Sequence, residues 1–248
     1  MPVLILPRYT FRMRMFATVL MLSGCLPLAA QEAMPVFHPH DVVLFQGDSI
    51  TDGGRWIGSQ DLNHTMGQSY AYLIAAEMGE QFPERDLQFL NRGISGNRAI
   101  DLEKRWQTDT LALKPNLLSI LVGINDFIVP GETLEQYETT YDHLISETLS
   151  ALPGIKIVLG EPFLMPVGKH HDNYAAELAE VKKRQDVVAK LAAKYHLPEV
   201  MYQDALNKAL KRAPADYWSW DGVHETYAGH ELMARTWLET VNAFWPRG

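Results

Sequence analysis

Five short apolar runs, each about a strand in length and separated by helical periods, constrain this chain more than any other feature of it. They are about Asp41 to Gln46, Leu87 to Leu90, Leu117 to Val122, Ile155 to Gly160 and Glu199 to Tyr202. Between them apolar residues return at helical spacing over Tyr70–Met78, which is expected to stop near Gly79, and over Ile100–Leu113, Glu132–Leu152 and Tyr174–Tyr195. The third run is apolar on both sides, as suits a parallel strand flanked by helices. Strand and helix alternating throughout give a parallel sheet covered on both faces. A shorter helix is expected over Asp204–Lys211. A last one, capped by Thr226, is expected to bury Leu232, Met233, Trp237, Leu238, Val241 and Phe244. At 248 residues, 47% of them apolar and with no internal repeat, the chain suits a single α/β domain over 41–248.

The strand ends carry the polar residues. Val42 to Gln46 stops at Gly47, and Ser49 follows within two residues. In open α/β sheets, ligands bind outside the carboxyl ends of the strands. A serine hydroxyl there becomes a nucleophile once a base removes its proton and a third group orients that base. Asp221 and His224 stand three apart in the loop after Trp218, close enough for one carboxylate to hold one imidazole nitrogen and leave the other for Ser49. A tetrahedral oxyanion also needs donors fixed in advance. The Ser49 amide, the Gly96 amide and the Asn125 side chain sit at three strand ends that share one edge in a parallel sheet.

Four blocks, Gly47–Asp52, Asn91–Asn97, Gly123–Asp126 and Asp221–His224, in this order, resemble those of the SGNH hydrolases, also called GDSL esterases. The resemblance covers nearly the whole chain after residue 40. It implies a three-layer α/β/α sandwich with a flavodoxin-like five-stranded parallel sheet. It also implies Ser49 as nucleophile, His224 as general base and acid, Asp221 as its orienter, and Gly96 with Asn125 completing the oxyanion hole. Ser49 to Arg55, Gly93 to Asn97 with Asp101, Arg105 and Trp106, and Trp220-Asp221 with Ala228-Gly229-His230 resemble bacterial acetylxylan esterases of that family. That likeness implies deacetylation of plant-polysaccharide sugars. Gly222, where those enzymes can carry a larger side chain, and Glu225, where a proline often follows the histidine, depart from the pattern. A lysophospholipase or thioesterase uses the same triad, and an exported carbohydrate-binding module with a decayed site is a reading from another class.

Arg55, Trp56, Phe127 and Trp220 are candidate substrate contacts; the aromatic residues Trp56, Phe127, Trp218 and Trp220 can stack on sugar rings, or one or more of them can belong to the core. Asp48 is expected to accept hydrogen bonds within its loop and is carried as a candidate contact as well. His170 and His171 are read as exposed loop histidines, and His230 as structural. His38 and His40 are read as part of a solvated linker over 31–40, since no ligand set at metal spacing follows them. The chemistry needs no metal or organic cofactor.

Twenty-two basic residues against 30 acidic ones, with no basic cluster, argue against nucleic acid as a partner. The expected partner is a small-molecule or oligosaccharide ester, and a homo-oligomer is compatible with the sequence. Arg8, Arg12 and Arg14, then the apolar run Phe16–Leu22, then small residues ending at Ala30 have the order of a secretory signal. The run is too short to span a bilayer. Two routes stand: lipidation at Cys25, since Leu22-Ser23-Gly24-Cys25 resembles a lipobox, or cleavage after Ala30. Either gives an exported protein, periplasmic or secreted and with membrane contact only through such an anchor. Cleavage after Ala30 leaves 19 basic against 30 acidic residues.

Overall fold

The computed structural model describes residues 37–245. β1 (Val42–Gly47) lies between β2 (Gln88–Asn91) and β3 (Leu117–Leu121), with β4 (Lys156–Gly160) and β5 (Glu199–Val200) beyond β3. All neighbours are parallel, giving the order β2-β1-β3-β4-β5. Connecting segments contain α1 (Ser49–Asp52), α2 (Leu62–Met66) and α3 (Tyr70–Gln81) before β2, and α4 (Ala99–Asp109) before β3. α5 (Ile124–Ile128) and α6 (Leu134–Ala151) precede β4, and α7 (Tyr174–Tyr195) precedes β5. α8 (Tyr202–Ala209), α9 (Ala215–Trp218) and α10 (Tyr227–Phe244) close the chain.

The side-chain period of two along each strand divides the core into two clusters. Val43, Phe45, Leu117, Leu121 and Val158 meet Ile74 of α3, Leu206 of α8 and Trp237 of α10 on one face. Leu44, Leu118, Ile120, Ile157 and Leu159 meet Leu102 of α4, Leu144 of α6 and Val188 of α7 on the other. On the strands, Ser119 Oγ accepts from Trp237 Nε1 at 3.0 Å, and Gln46 Nε2 donates to Asp109 O and Thr110 Oγ1, both at 2.8 Å. The expected three-layer α/β/α sandwich with a five-stranded parallel sheet is the fold observed. Strand order reverses between β1 and β3, so the crevice beyond their carboxyl ends is the place where this topology leaves room for a ligand. Ser49 and Asn125 stand at those two ends.

Several element limits differ from expectation. The helix read to stop near Gly79 runs on to Gln81, because Gly79 is an open surface position that needs no special conformation, and it ends at Phe82 ahead of Pro83. The second strand is shifted by one residue, to Gln88–Asn91. The fifth is only Glu199–Val200, and Tyr202 opens α8 instead of ending a strand. Ile100–Leu113 divides into α4 and a short 3₁₀ turn at Leu111–Leu113. Phe244 is 43% exposed and not a core residue, since it lies at the last turn of α10, beyond the edge of the packed face. Within the stretch read as a linker, Phe37 is buried in the core and the His40 amide donates to Arg85 O, so its end is docked. Residues 1–30, with the signal and Cys25, lie outside the described residues.

Candidate active site

Ser49 is the first residue of α1, immediately after Asp48, whose carboxylate accepts from the Ile50 amide at 3.0 Å and caps the turn. The cap fixes the backbone that presents Ser49, and it leaves the Ser49 amide among the unsatisfied donors at a helix start. Ser49 Oγ lies 2.9 Å from His224 Nε2. His224 Nδ1 lies 2.7 Å from Asp221 Oδ2, while Asp221 Oδ1 accepts from the amides of Val223 at 2.9 Å and His224 at 2.7 Å. One carboxylate therefore folds its own loop and holds the imidazole. Burial raises the Asp221 pKa, but the hydrogen bonds from the His224 amide and side chain and the Val223 amide outweigh it and hold the carboxyl below its usual range.

The loop after β2 is tied to the loop after β1. Asn91 Nδ2 donates to Thr51 O at 2.6 Å and Met66 O at 2.8 Å, and Asn91 Oδ1 accepts from Gly93 N at 2.8 Å. Arg105 spans the same region, from Asn97 Oδ1 at 2.9 Å to Arg92 O at 2.8 Å. Within the turn, the Ile94 amide goes to Gly47 O, the Ser95 amide to Asp52 Oδ2 and the Asn97 amide to Ile94 O. That accounting leaves the Gly96 N–H without an internal acceptor among the described residues, at an exposed position with φ of 82°. Asn125, in the first turn of α5, donates from Nδ2 to Asn97 O at 3.1 Å, and the second hydrogen of that amide is available.

The candidate contacts divide by exposure. Trp220 is 64% exposed, with one face stacked on the His224 ring at a centroid distance of 5.6 Å and an angle of 19°. Trp56 is equally exposed and meets His64 edge-on. Asp48, in contrast, is 1% exposed, and burial pushes its carboxyl up to about 7. Its enclosure corrects the expectation of a substrate contact and leaves it the capping role. Arg55 is spent within the protein, its Nε donating to Gly93 O at 2.8 Å beside Asp52. Phe127 is half-buried under the Arg184 guanidinium, and Trp218 is core.

His170 is a second correction, because it is buried and its Nδ1 lies 2.6 Å from Glu177 Oε2; its neighbour His171 is exposed as expected. His170 supports the loop that carries Asp221: a Cβ on Gly222 would lie 3.0 Å from the His170 ring and 2.8 Å from Met165 O. Gly222 also has φ of 98°, so the departure from the family pattern there is required by this backbone. Residues not singled out in the sequence also border the site. A cleft of about 510 Å³ is lined by Ser49, Gly53, Gly54, Gln68, Ser95, Trp220, His224, Glu225, Tyr227 and His230. None of these is aliphatic. Among the described residues, no group of three or more His, Cys, Asp or Glu is placed to hold a metal ion.

A doubly wound sheet with a hydrogen-bonded Ser–His–Asp set at its carboxyl edge defines a class of hydrolases rather than a binding module. A sequence model of the GDSL-like lipase/acylhydrolase family matches residues 45–232, and the chain belongs to that family. It is similar to an acetylxylan esterase from Geobacillus stearothermophilus, with 33% identity over 215 residues, 83% of this chain and 95% of the relative. The crystal structure of Axe2, an acetylxylan esterase from the same organism, aligns with a TM-score of 0.73 at 31% identity, covering 82% of this chain and 95% of that one. The uncharacterized lipoprotein YqeF of Bacillus subtilis (strain 168) is 33% identical over 139 residues, 53% of this chain and 52% of the relative. The protein is a carboxylic ester hydrolase.

Proposed function

We propose that the chain is a serine esterase that removes acetyl groups from plant-polysaccharide oligosaccharides. The observation that carries the mechanism is the unbroken series Ser49 Oγ–His224 Nε2, His224 Nδ1–Asp221 Oδ2, at 2.9 and 2.7 Å. In the first step Ser49 Oγ bonds to the ester carbonyl carbon as His224 takes the hydroxyl proton, and Asp221 compensates the imidazolium. The oxyanion receives hydrogen bonds from the Ser49 and Gly96 amides and from Asn125 Nδ2. Collapse expels the alcohol, which leaves with the proton from His224. Water then attacks the acyl-enzyme, with His224 again as base, and releases the acid and Ser49.

Asn125→Ala is expected to lower kcat on the order of 10²–10³, the usual loss for one oxyanion donor, with little change in KM. A loss of less than about threefold would remove Asn125 from the hole.

The substrate reading is supported by the similarity to an acetylxylan esterase over 95% of that relative's length and by the lining of the cleft. Small and polar groups suit an acetyl, whereas the long acyl chain of a lysophospholipid or thioester needs an apolar channel. Trp220 and Tyr227, both largely exposed, offer aromatic faces for sugar rings beside Ser49. With p-nitrophenyl esters of increasing acyl length, the rate is expected to be highest for acetate, and acetylated xylo-oligosaccharides are expected to release acetate. Preference for long acyl chains would favour the lipid-esterase reading instead.

Export is part of the same proposal, supported by the order of residues in the first thirty and by the likeness to a lipoprotein over half the chain. Mass spectrometry of the exported protein tests the anchor: a lipidated Cys25 is expected if it is attached to the membrane, and an N-terminus at Gln31 excludes attachment.

A further inference from the structure

Directly after His224 stands a carboxyl group that the reaction above does not use. The Glu225 side chain is 0% exposed, and among the described residues neither of its oxygens receives a hydrogen bond. Among the described residues, the titratable groups around it are Asp48 at the end of β1, Asp221 and His224 of its own loop, His230 of α10, Tyr70 of α3 and Tyr202 of α8. None of them is a lysine or an arginine. A carboxylate enclosed without donors and near two other carboxyl groups is strongly unfavourable, whereas a carboxylic acid there costs far less. Burial accordingly pushes the Glu225 pKa well above the usual carboxylate range.

One atom in this enclosure complements a carboxylic O–H. His230 Nδ1 lies 3.5 Å from Glu225 Oε2, and it too is buried without a hydrogen-bond partner among the described residues. Burial pushes the His230 pKa down to about 4, so the ring is neutral and, with its hydrogen on Nε2, offers Nδ1 as an acceptor. The helix also presses directly on the loop here. A Cβ on Gly229 would lie 2.1 Å from Trp218 O and 2.8 Å from Glu225 Cβ.

We propose that Glu225 is a positioning residue that works as a neutral carboxylic acid, its O–H donating to His230 Nδ1 and latching the Asp221–His224 loop to α10. The latch holds His224 at its distance from Ser49 and keeps a second fixed negative charge away from the imidazole. This role rests on His224 being the base of the proposed reaction. Raised above 4.5 in the folded state, Glu225 makes the protein less stable as pH climbs from its unfolded pKa towards its folded one.

Two variants of Glu225 read this out. Glu225→Gln keeps a donor for His230 and carries no charge, so kcat and the acid limb of the pH profile of kcat/KM are expected to match the wild type. Its stability advantage over the wild type is expected to grow as pH rises above about 4.5. Glu225→Ala removes the latch and is expected to lower kcat about ten- to a hundredfold at unchanged KM, through misplacement of the base. In infrared spectra at neutral pH, a protonated-carboxyl band is expected in the wild type and lost in E225Q. An acid limb moved to lower pH in E225Q, with no such band lost, would show a charged Glu225 and overturn the proposal. So would wild-type kcat in E225A. If E225A does not fold, E225Q decides alone. Should Ser49→Ala retain hydrolysis, the reaction scheme has failed independently, and the infrared and stability measurements still read the state of Glu225.

Discussion

Replacement of Ser49 by alanine is expected to lower kcat on the order of 10⁶ while the fold persists, the loss typical when a triad nucleophile is removed. The chemical step passes through a bond from Ser49 Oγ, and no other hydroxyl is within hydrogen-bond distance of His224 Nε2 among the described residues. The structural cost is small. The side chain contributes one hydrogen bond at the rim of the cleft, while the turn itself is held by the Asp48 cap and by Asn91 binding Thr51 O. The measurement is the rate on p-nitrophenyl acetate beside the thermal midpoint. Activity within about tenfold of the wild type would mean that the ester is cleaved elsewhere.

The second large effect is expected for Asp221→Asn, on the order of 10⁴ in kcat, with the loop intact. An asparagine keeps Oδ1, so the amides of Val223 and His224 retain their acceptor at the base of the loop. It places an NH₂ against His224 Nδ1, where the carboxylate Oδ2 had been. The imidazole must then accept at Nδ1 and carry its proton on Nε2, the atom that has to receive the proton of Ser49. Catalysis is lost through the tautomer and the missing negative charge, without loss of packing. A thermal midpoint near that of the wild type together with the lost rate separates this from unfolding. A rate within about tenfold of the wild type would deprive Asp221 of its role.

Much of this was legible in the sequence because strand ends in a parallel sheet share one edge. The runs Val42–Gln46 and Leu117–Val122 are apolar but for Gln46 and Ser119, and each stops at a glycine, Gly47 or Gly123, so Ser49 and Asn125 could be assigned to the same crevice without knowledge of the packing. Asp221 and His224 were legible for a local reason, since a carboxylate three residues before an imidazole in a loop reaches it. What lies beneath the site was not legible. Nothing local distinguishes a buried Asp48 from an exposed one, because its burial comes from the elements packed over the end of β1. His170 looked like a loop histidine because its partner, Glu177, is on the following helix. Trp218 and Trp220 looked equivalent, yet they lie two apart with Ser219 bridged to Glu225, and one is core while the other covers the imidazole. Glu225 was visible as a departure from the family pattern, but its consequence depends on α10 closing over it. The short helices α2, α5 and α9 have no period of their own and form where neighbouring loops fix them.

The central claim is that Ser49 is the nucleophile of an ester hydrolase. Labelling the active protein with a fluorophosphonate and mapping the adduct by peptide mass spectrometry tests it most directly. The account predicts a single adduct on Ser49, loss of esterase activity in step with labelling, and no labelling of Asp221→Asn on the same time scale. Full inhibition with the adduct on another residue, or hydrolysis that continues with Ser49 fully labelled, would contradict it.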